Sequence, residues 1–69
     1  MIFVFKTNVF DDLAAMELKP LLDMQLPNSI WNFDLEDCDK ILRIDSQIEI
    51  AEKTINLLQN IGYHCEELT

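Results

Sequence analysis

Glycine, proline and cysteine are scarce in this chain, and basic residues are few. One glycine and two prolines among 69 residues argue against disorder and against long flexible linkers. The two cysteines, Cys38 and Cys65, are too few for a disulfide framework, so we predict reduced thiols and a cytoplasmic location. Five basic residues against thirteen acidic ones give a net charge of −8. Non-specific nucleic-acid binding needs clustered lysine and arginine, and this charge balance argues against it.

Long hydrophobic runs are absent as well. No apolar stretch is long enough to span a membrane, and residues 1–6 lack the basic start and the cleavage site of a signal peptide. We therefore expect no membrane partner. A chain of this length buries only about 60% of its unfolded surface, which leaves little room for a catalytic cleft. The sequence has no nucleophile motif and no glycine-rich phosphate loop, so we predict no enzyme and no cofactor.

The first third of the chain predicts a strand followed by a helix. Residues 1–8 alternate, with Phe3 and Phe5 on one face, as in a half-buried strand. Asn8 or Asp11 then begins a helix, because both side chains accept hydrogen bonds from the free N–H groups of a first turn. Apolar residues at helical spacing predict the stripe that this helix turns toward the core: Leu13, Met16, Leu18, Leu21, Leu22 and Met24.

Proline marks two interruptions of this pattern. Pro20 falls inside the predicted helix, where it removes one backbone hydrogen bond, so we expect a kink or a break over residues 16–19. Pro27 and the two polar residues after it predict the turn that follows the helix.

A second alternation predicts a β-hairpin whose register is well specified. A four-residue acidic loop at 36–39 places Phe33 opposite Leu42 and Trp31 opposite Ile44. A slip of one residue would turn this apolar row away from the core, so the hydrophobic pattern selects one register.

The last third of the chain predicts a second helix and a final strand. Ser46 and Glu49 have the spacing of a capping box, in which each side chain bonds the backbone of the other residue. The apolar residues that recur at helical spacing after Ser46 are Ile48, Ala51, Ile55 and Leu58. Gly62 ends the helix in a left-handed conformation, and residues 63–68 are long enough for a short strand.

The predicted element order is strand, helix, strand, strand, helix, strand. Two right-handed β-α-β crossovers interleave most simply as an antiparallel sheet of order 4-1-3-2 with both helices on one face. The expected fold class is therefore α+β, a ferredoxin-like βαββαβ sandwich that forms one domain over residues 1–69.

With these features, the chain resembles the heavy-metal-associated domains, the family of small copper chaperones and metal-ATPase N-terminal modules. The resemblance rests on the opening strand and helix, on the hairpin over 31–44 and on the ending LQNIGY at 58–63. The family binds Cu(I) between two thiolates of a Cys-x-x-Cys motif that follows the first strand. The corresponding residues 6–12 contain no cysteine, histidine or methionine. The resemblance thus implies the fold and not the family's metal chemistry.

A displaced metal site is one alternative that the topology suggests. Three loops meet at one end of the predicted sheet and gather Cys38 and His64, with Cys65 close by. A thiolate, an imidazole and a carboxylate are sufficient ligands for Zn²⁺, so Cys38, His64 and Cys65 are the candidate metal ligands. The competing interpretation is a solvated acidic end, with Cys65 a small buried apolar residue and His64 exposed on the strand.

Protein association is the function that the sequence favours. The predicted interaction surface is either the sheet face turned away from the helices or the acidic hairpin turn. The candidate residues are Ile2, Val4, Ile30 and Ile41 on the sheet face, and Glu36, Asp37 and Asp39 in the turn. The charge of −8 favours a basic partner surface, and a homodimer is the other assembly considered. The alternative is that an open sheet simply exposes some apolar area.

Overall fold

The computed structural model describes residues 1–68, which form four strands and two helices. The elements are β1 (Ile2–Thr7), α1 (Asp12–Gln25), β2 (Ile30–Asp34), β3 (Ile41–Asp45), α2 (Ala51–Ile61) and β4 (Cys65–Glu67). The strands pair antiparallel in the order β2-β3-β1-β4. This order is the predicted one, and the ferredoxin-like fold is confirmed. Thr69, the last residue of the predicted domain, lies outside the described residues.

The hydrophobic core lies between one face of the sheet and the two helices. Phe5 and Leu42 from the sheet are fully buried, as are Leu22 from α1 and Leu58 from α2. Each such side chain contributes about 1.5–3 kcal/mol when it leaves water. Both helices therefore depend on the same small cluster. No helix in the described part of the chain is long and apolar enough to cross a membrane.

The hairpin register agrees with the prediction, although its strands are shorter. Trp31 pairs with Ile44 and Phe33 pairs with Leu42. The connection covers residues 35–40. Its last residue, Lys40, has a positive φ of 49°. The connection is longer than the predicted four-residue loop, but the parity of the pairing is unchanged.

Helix α1 begins where Asp11 caps it and runs through its internal proline. The Asp11 side chain accepts a hydrogen bond of 2.8 Å from the backbone N–H of Ala14. The prediction was a kink or a break over residues 16–19; the helix is continuous there, so a break is wrong, and a kink stays a prediction. Pro20 is exposed, so the one backbone hydrogen bond that it removes is lost on the side of the helix away from the core.

Helix α2 begins four residues later than the capping-box pattern predicts, because its N-cap is Ile50 and not Ser46. Ser46 lies next to the start of β1, where its N–H donates to the carbonyl of Met1 at 2.9 Å. Glu49 reaches forward to the N–H of Ala51 at 2.6 Å and makes no reciprocal bond to Ser46. The predicted capping box is therefore wrong, and Ile48 lies outside the helix and is exposed.

Helix α2 ends at Gly62, as predicted. Gly62 has a φ of 109°, and the N–H of Tyr63 donates to the carbonyl of Leu58 at 3.0 Å. This bond satisfies a helix-terminal carbonyl and turns the chain toward β4.

Candidate functional site

The loops at one end of the sheet meet as expected. The N–H of Thr7 lies 3.1 Å from the carbonyl of Asp39 and 3.2 Å from that of Lys40. On the other side of the same loop, Asn8 accepts a 2.8 Å hydrogen bond from the N–H of His64. The first loop thus holds both the hairpin turn and the junction before β4.

The three candidate metal ligands are nevertheless not brought together. Cys65 lies in the core, where burial raises the pKa of its thiol to about 11 and keeps it neutral at physiological pH. His64 and Cys38 are exposed in different loops. Within residues 1–68, the set of three potential ligand atoms that lie within 4.8 Å of one another comes from Asp37, Cys38 and Asp39.

The carboxylates of that hairpin cluster already have partners. The side chain of Asp37 accepts a 2.8 Å bond from the N–H of Asp39, a local turn contact. The carboxylate of Asp39 lies 3.6 Å from the ammonium group of Lys6. Both contacts stabilise the loop without a bound ion.

The sheet face turned away from the helices is less apolar than predicted. Ile41 is only 7% exposed, because charged residues flank it on both neighbouring strands, so its predicted role as a surface residue is wrong. Ile2 and Ile30 are exposed, but Asp45 is the register partner of both and lies between them. Val4 is half-buried. A charged residue therefore separates Ile2 from Ile30 on this face.

The largest exposed apolar side chains of the helices lie on α1, where the sequence predicted a core stripe. Leu13, Met16 and Met24 are between 67% and 73% exposed. Together with the exposed Pro20, they form what we call the outer stripe, because their spacing places all four on one helical face. Leu18 and Leu22, which the predicted stripe also contained, form the core face of α1. The prediction was right for these two residues and wrong for Leu13, Met16 and Met24, because periodicity alone does not show which apolar residues of a helix face the sheet.

An open groove of about 920 Å³ adjoins the outer stripe and lies between α1 and β2. Its apolar lining comes from both elements and from the residues next to them: Phe10, Ala15, Met16, Trp31, Phe33 and Leu35. Trp31 and Phe33, predicted as part of the core, are half-buried here, with ring centroids 5.9 Å apart in an edge-to-face arrangement.

Acidic residues border the groove. Asp11 and Asp12 come from the start of α1, and Asp34 and Glu36 come from the end of β2 and the residues after it. The one basic residue of the groove lining is Lys19. The groove therefore combines an apolar floor with a strongly negative rim.

Lys19 already has partners inside the groove. Its ammonium group lies 3.0 Å from a carboxylate oxygen of Asp23 and 5.6 Å from the ring centroid of Trp31. The indole N–H of Trp31 donates to the other oxygen of Asp23 at 3.1 Å. The hydrogen bonds from Lys19 and from Trp31 lower the pKa of Asp23 below its ordinary value. The indole ring is thus held in place with a cation over its face.

The two edges of the sheet differ in how well they are protected. β4 is three residues long and carries Glu66 and Glu67, and short charged edge strands resist pairing with other chains. β2 has five residues and includes Ile30, Trp31 and Phe33. Within residues 1–68, β3 is the strand that pairs with β2, so the other backbone edge of β2 is open.

A smaller open cavity of about 620 Å³ lies beside His64 and Cys65. The hydroxyl group of Thr7, which also lines it, donates to the carbonyl of Lys40 at 2.6 Å and accepts from the N–H of Val9 at 3.2 Å. In the described part of the chain, no hydrogen bond joins the His64 ring to a hydroxyl or thiol group. The absence of enzyme activity stays a prediction.

Comparison with known proteins identifies the fold class. No protein-family model matches the chain, and no curated protein matches it. Among solved structures, the chain is similar to the solution structure of the N-terminal domain of ZntA in its Zn(II) form. The TM-score is 0.71 at 18% identity, over 96% of this chain and 89% of that chain. This similarity supports the ferredoxin-like fold expected from the sequence.

Proposed function

We propose that this protein is a small binding module that associates with another protein. The observation that carries this proposal is the outer stripe of α1, whose apolar side chains are mostly in water and adjoin the groove at Met16. Contiguous apolar surface with a polar rim marks interaction sites in soluble proteins. Methionine suits such a surface, because its flexible side chain adapts to the shape of a partner.

The outer stripe has no role in covering the sheet. A helix that packs on a sheet needs one apolar face, and Leu18 and Leu22 supply it in α1. The outer stripe lies on the opposite side of the helix. Its apolar area is therefore available for a partner at little cost in folding stability.

Charge indicates which kind of partner fits. The chain carries a net charge of −8, and the groove beside the stripe has an acidic rim. Electrostatic complementarity accelerates association with a basic surface and opposes association between like charges. We therefore favour a basic partner over a homodimer. Both cysteines are free thiols, which favours a cytoplasmic location.

The test compares two exposed apolar sites of equal accessibility. Met16 and Ile48 are each 68% exposed, but Ile48 lies away from the stripe, before α2. In a pull-down from native extract, we expect the wild-type protein and the Ile48→Gln variant to capture a stoichiometric partner. The Leu13→Gln, Met16→Gln double variant should not capture it. Binding of the purified partner, measured by calorimetry, should weaken about tenfold or more in the double variant. Equal binding by both variants would refute a role for the stripe.

Metal binding is the second candidate function. The solved structure with a similar fold is a zinc-loaded domain, and Asp37, Cys38 and Asp39 place a thiol and two carboxylates close together. A zinc titration of the purified protein tests this candidate, with Cys38→Ser as the probe and the buried Cys65→Ser as the control. Zinc binding that is lost in Cys38→Ser alone would support it. No saturable zinc binding by the wild-type protein would eliminate it.

A further inference from the structure

We propose that β2 receives an extended basic segment of the partner protein as a fifth strand of the sheet. This inference rests on the proposed function and names the surface and the binding mode. The segment alternates apolar and basic side chains, and its backbone pairs with the open edge of β2.

The contrast between the sheet edges carries the first step. An open strand edge presents unpaired N–H and C=O groups that another chain can bond. β4 discourages such pairing because it is short and acidic, whereas β2 is longer and mostly apolar. A strand added to β2 lies about 4.8 Å from it and extends the sheet without moving either helix.

The side chains of β2 provide the second step. Successive residues of an added strand point to opposite faces of the sheet. On the helix-facing side they meet the half-buried rings of Trp31 and Phe33, next to Met16 of α1. On the other face they meet the exposed Asn32 and Asp34. Apolar residues toward the groove and basic residues toward Asp34 therefore satisfy both faces.

The charge of the groove provides the third step and identifies the occupant. Four carboxylates line the groove against one ammonium group, and Lys19 is already paired with Asp23. The position of Lys19 over Trp31 shows that this ring accepts a cation in the folded protein. A second copy of the chain brings another acidic rim and a further charge of −8. A basic segment sets its basic side chains against Asp34, at the β2 side of that rim, so charge complementarity favours it over the second copy.

A model peptide tests the mode directly, with Trp31 as the reporter because it is the only tryptophan in the chain. The probe is a capped octapeptide that alternates valine and arginine. We expect a saturable change in Trp31 fluorescence and slower amide exchange over residues 30–34. The same peptide N-methylated along one edge should bind about tenfold more weakly, because it lacks the donors for the ladder. A peptide that alternates valine and glutamate should not bind.

Charge reversals locate the binding edge. An Asp34→Lys, Glu36→Lys double variant should weaken peptide binding about tenfold. A Glu66→Lys, Glu67→Lys double variant, on the opposite edge strand β4, changes the net charge equally and is the matched control that should bind like the wild type.

The outcomes separate the binding mode from the proposed function. Equal binding of the N-methylated peptide, or no protection over residues 30–34, refutes strand addition even if a partner still requires the outer stripe. Concentration-dependent dimerisation in sedimentation, with those amides protected in the absence of peptide, assigns the edge to a second copy and also refutes it. No peptide binding, together with capture of a partner through the outer stripe alone, refutes the mode and leaves association in place.

Discussion

The two helices cover the same sheet but use their surfaces differently. Helix α2 buries Ala51, Thr54 and Leu58 against the sheet, and its exposed side is mostly polar or charged. Helix α1 buries Leu18 and Leu22 and still exposes a second apolar face, the outer stripe. Packing against the sheet explains the sequence of α2 almost completely. It explains only one side of α1, and the other side is where we propose that a partner binds.

The sharpest test of this contrast uses two leucines of the same helix. Leu22→Ala should lower the free energy of unfolding by about 2–5 kcal/mol, because it removes a fully buried side chain and leaves a cavity. Leu13→Ala, on the outer stripe, should change it by no more than about 0.5 kcal/mol. Urea denaturation followed by circular dichroism measures both. Equal losses of unfolding free energy would mean that the outer stripe also stabilises the fold, and would contradict the proposed difference between the two faces of α1.

The helix ends provide a second test. Gly62 ends α2 at a φ of 109°, whereas α1 ends at Leu26 with a φ of −123° and needs no glycine. Gly62→Ala should cost about 1–2 kcal/mol of unfolding free energy. An added methyl group meets open space, so the cost comes from the backbone conformation alone. Asn60→Ala, in the exposed last turn of α2, is the control and should leave the free energy of unfolding unchanged. A Gly62→Ala protein as stable as wild type would contradict the role of Gly62 in ending the helix.

Substitution of Thr54, on the buried face of α2, is expected to raise the stability of the protein. Its hydroxyl group is fully buried and has no hydrogen-bond partner among the residues that the structure describes. Thr54→Val keeps the shape and removes the unsatisfied polar group, so it should raise the free energy of unfolding by about 1 kcal/mol. Thr54→Ser keeps the hydroxyl group and should be less stable than wild type. A Thr54→Val protein that is no more stable would mean that the hydroxyl group finds a partner in solution.

The smallest expected effect concerns acid titration on the groove side of α1. The partners of Asp23 lower its pKa below 3.8 in the folded protein. Its carboxylate therefore favours folding above about pH 4, and this contribution disappears as the pH falls through the lowered folded pKa. Trp31 fluorescence should report a transition below pH 3.8 in wild type, and Asp23→Asn should abolish it. A transition that persists in Asp23→Asn would show that another group titrates against the indole.

Some parts of the fold were predictable because one local rule decided them. The pairing of Phe33 with Leu42 follows from alternation on both sides of a loop, and any slip would expose the apolar row. Gly62 is the only glycine and stands where a helix must end. The spacing of Ser46 and Glu49 obeyed a local rule as well, but Ser46 bonds Met1 at the distant end of β1 instead.

The candidate site was less predictable than the fold. The sequence left a metal site at the loop end as an alternative to a buried Cys65 and an exposed His64, and the structure agrees with the second interpretation. Ile41, predicted to lie on the interaction surface, is buried. The groove depends on which residues of α1 face outward and on β2 being a sheet edge. Both features depend on how distant segments pack against one another, so no local sequence pattern predicts them.

The order of the elements, the antiparallel sheet and the hairpin register follow from local sequence patterns, because alternation, helical spacing and turn residues act between near neighbours. Tertiary structure alone decided which apolar stripe of α1 packs on the sheet. Both stripes satisfy helical periodicity, and the choice depends on the shape and burial of side chains that come from distant parts of the chain. That choice leaves Leu13, Met16 and Met24 in water and creates the surface on which the proposed function rests.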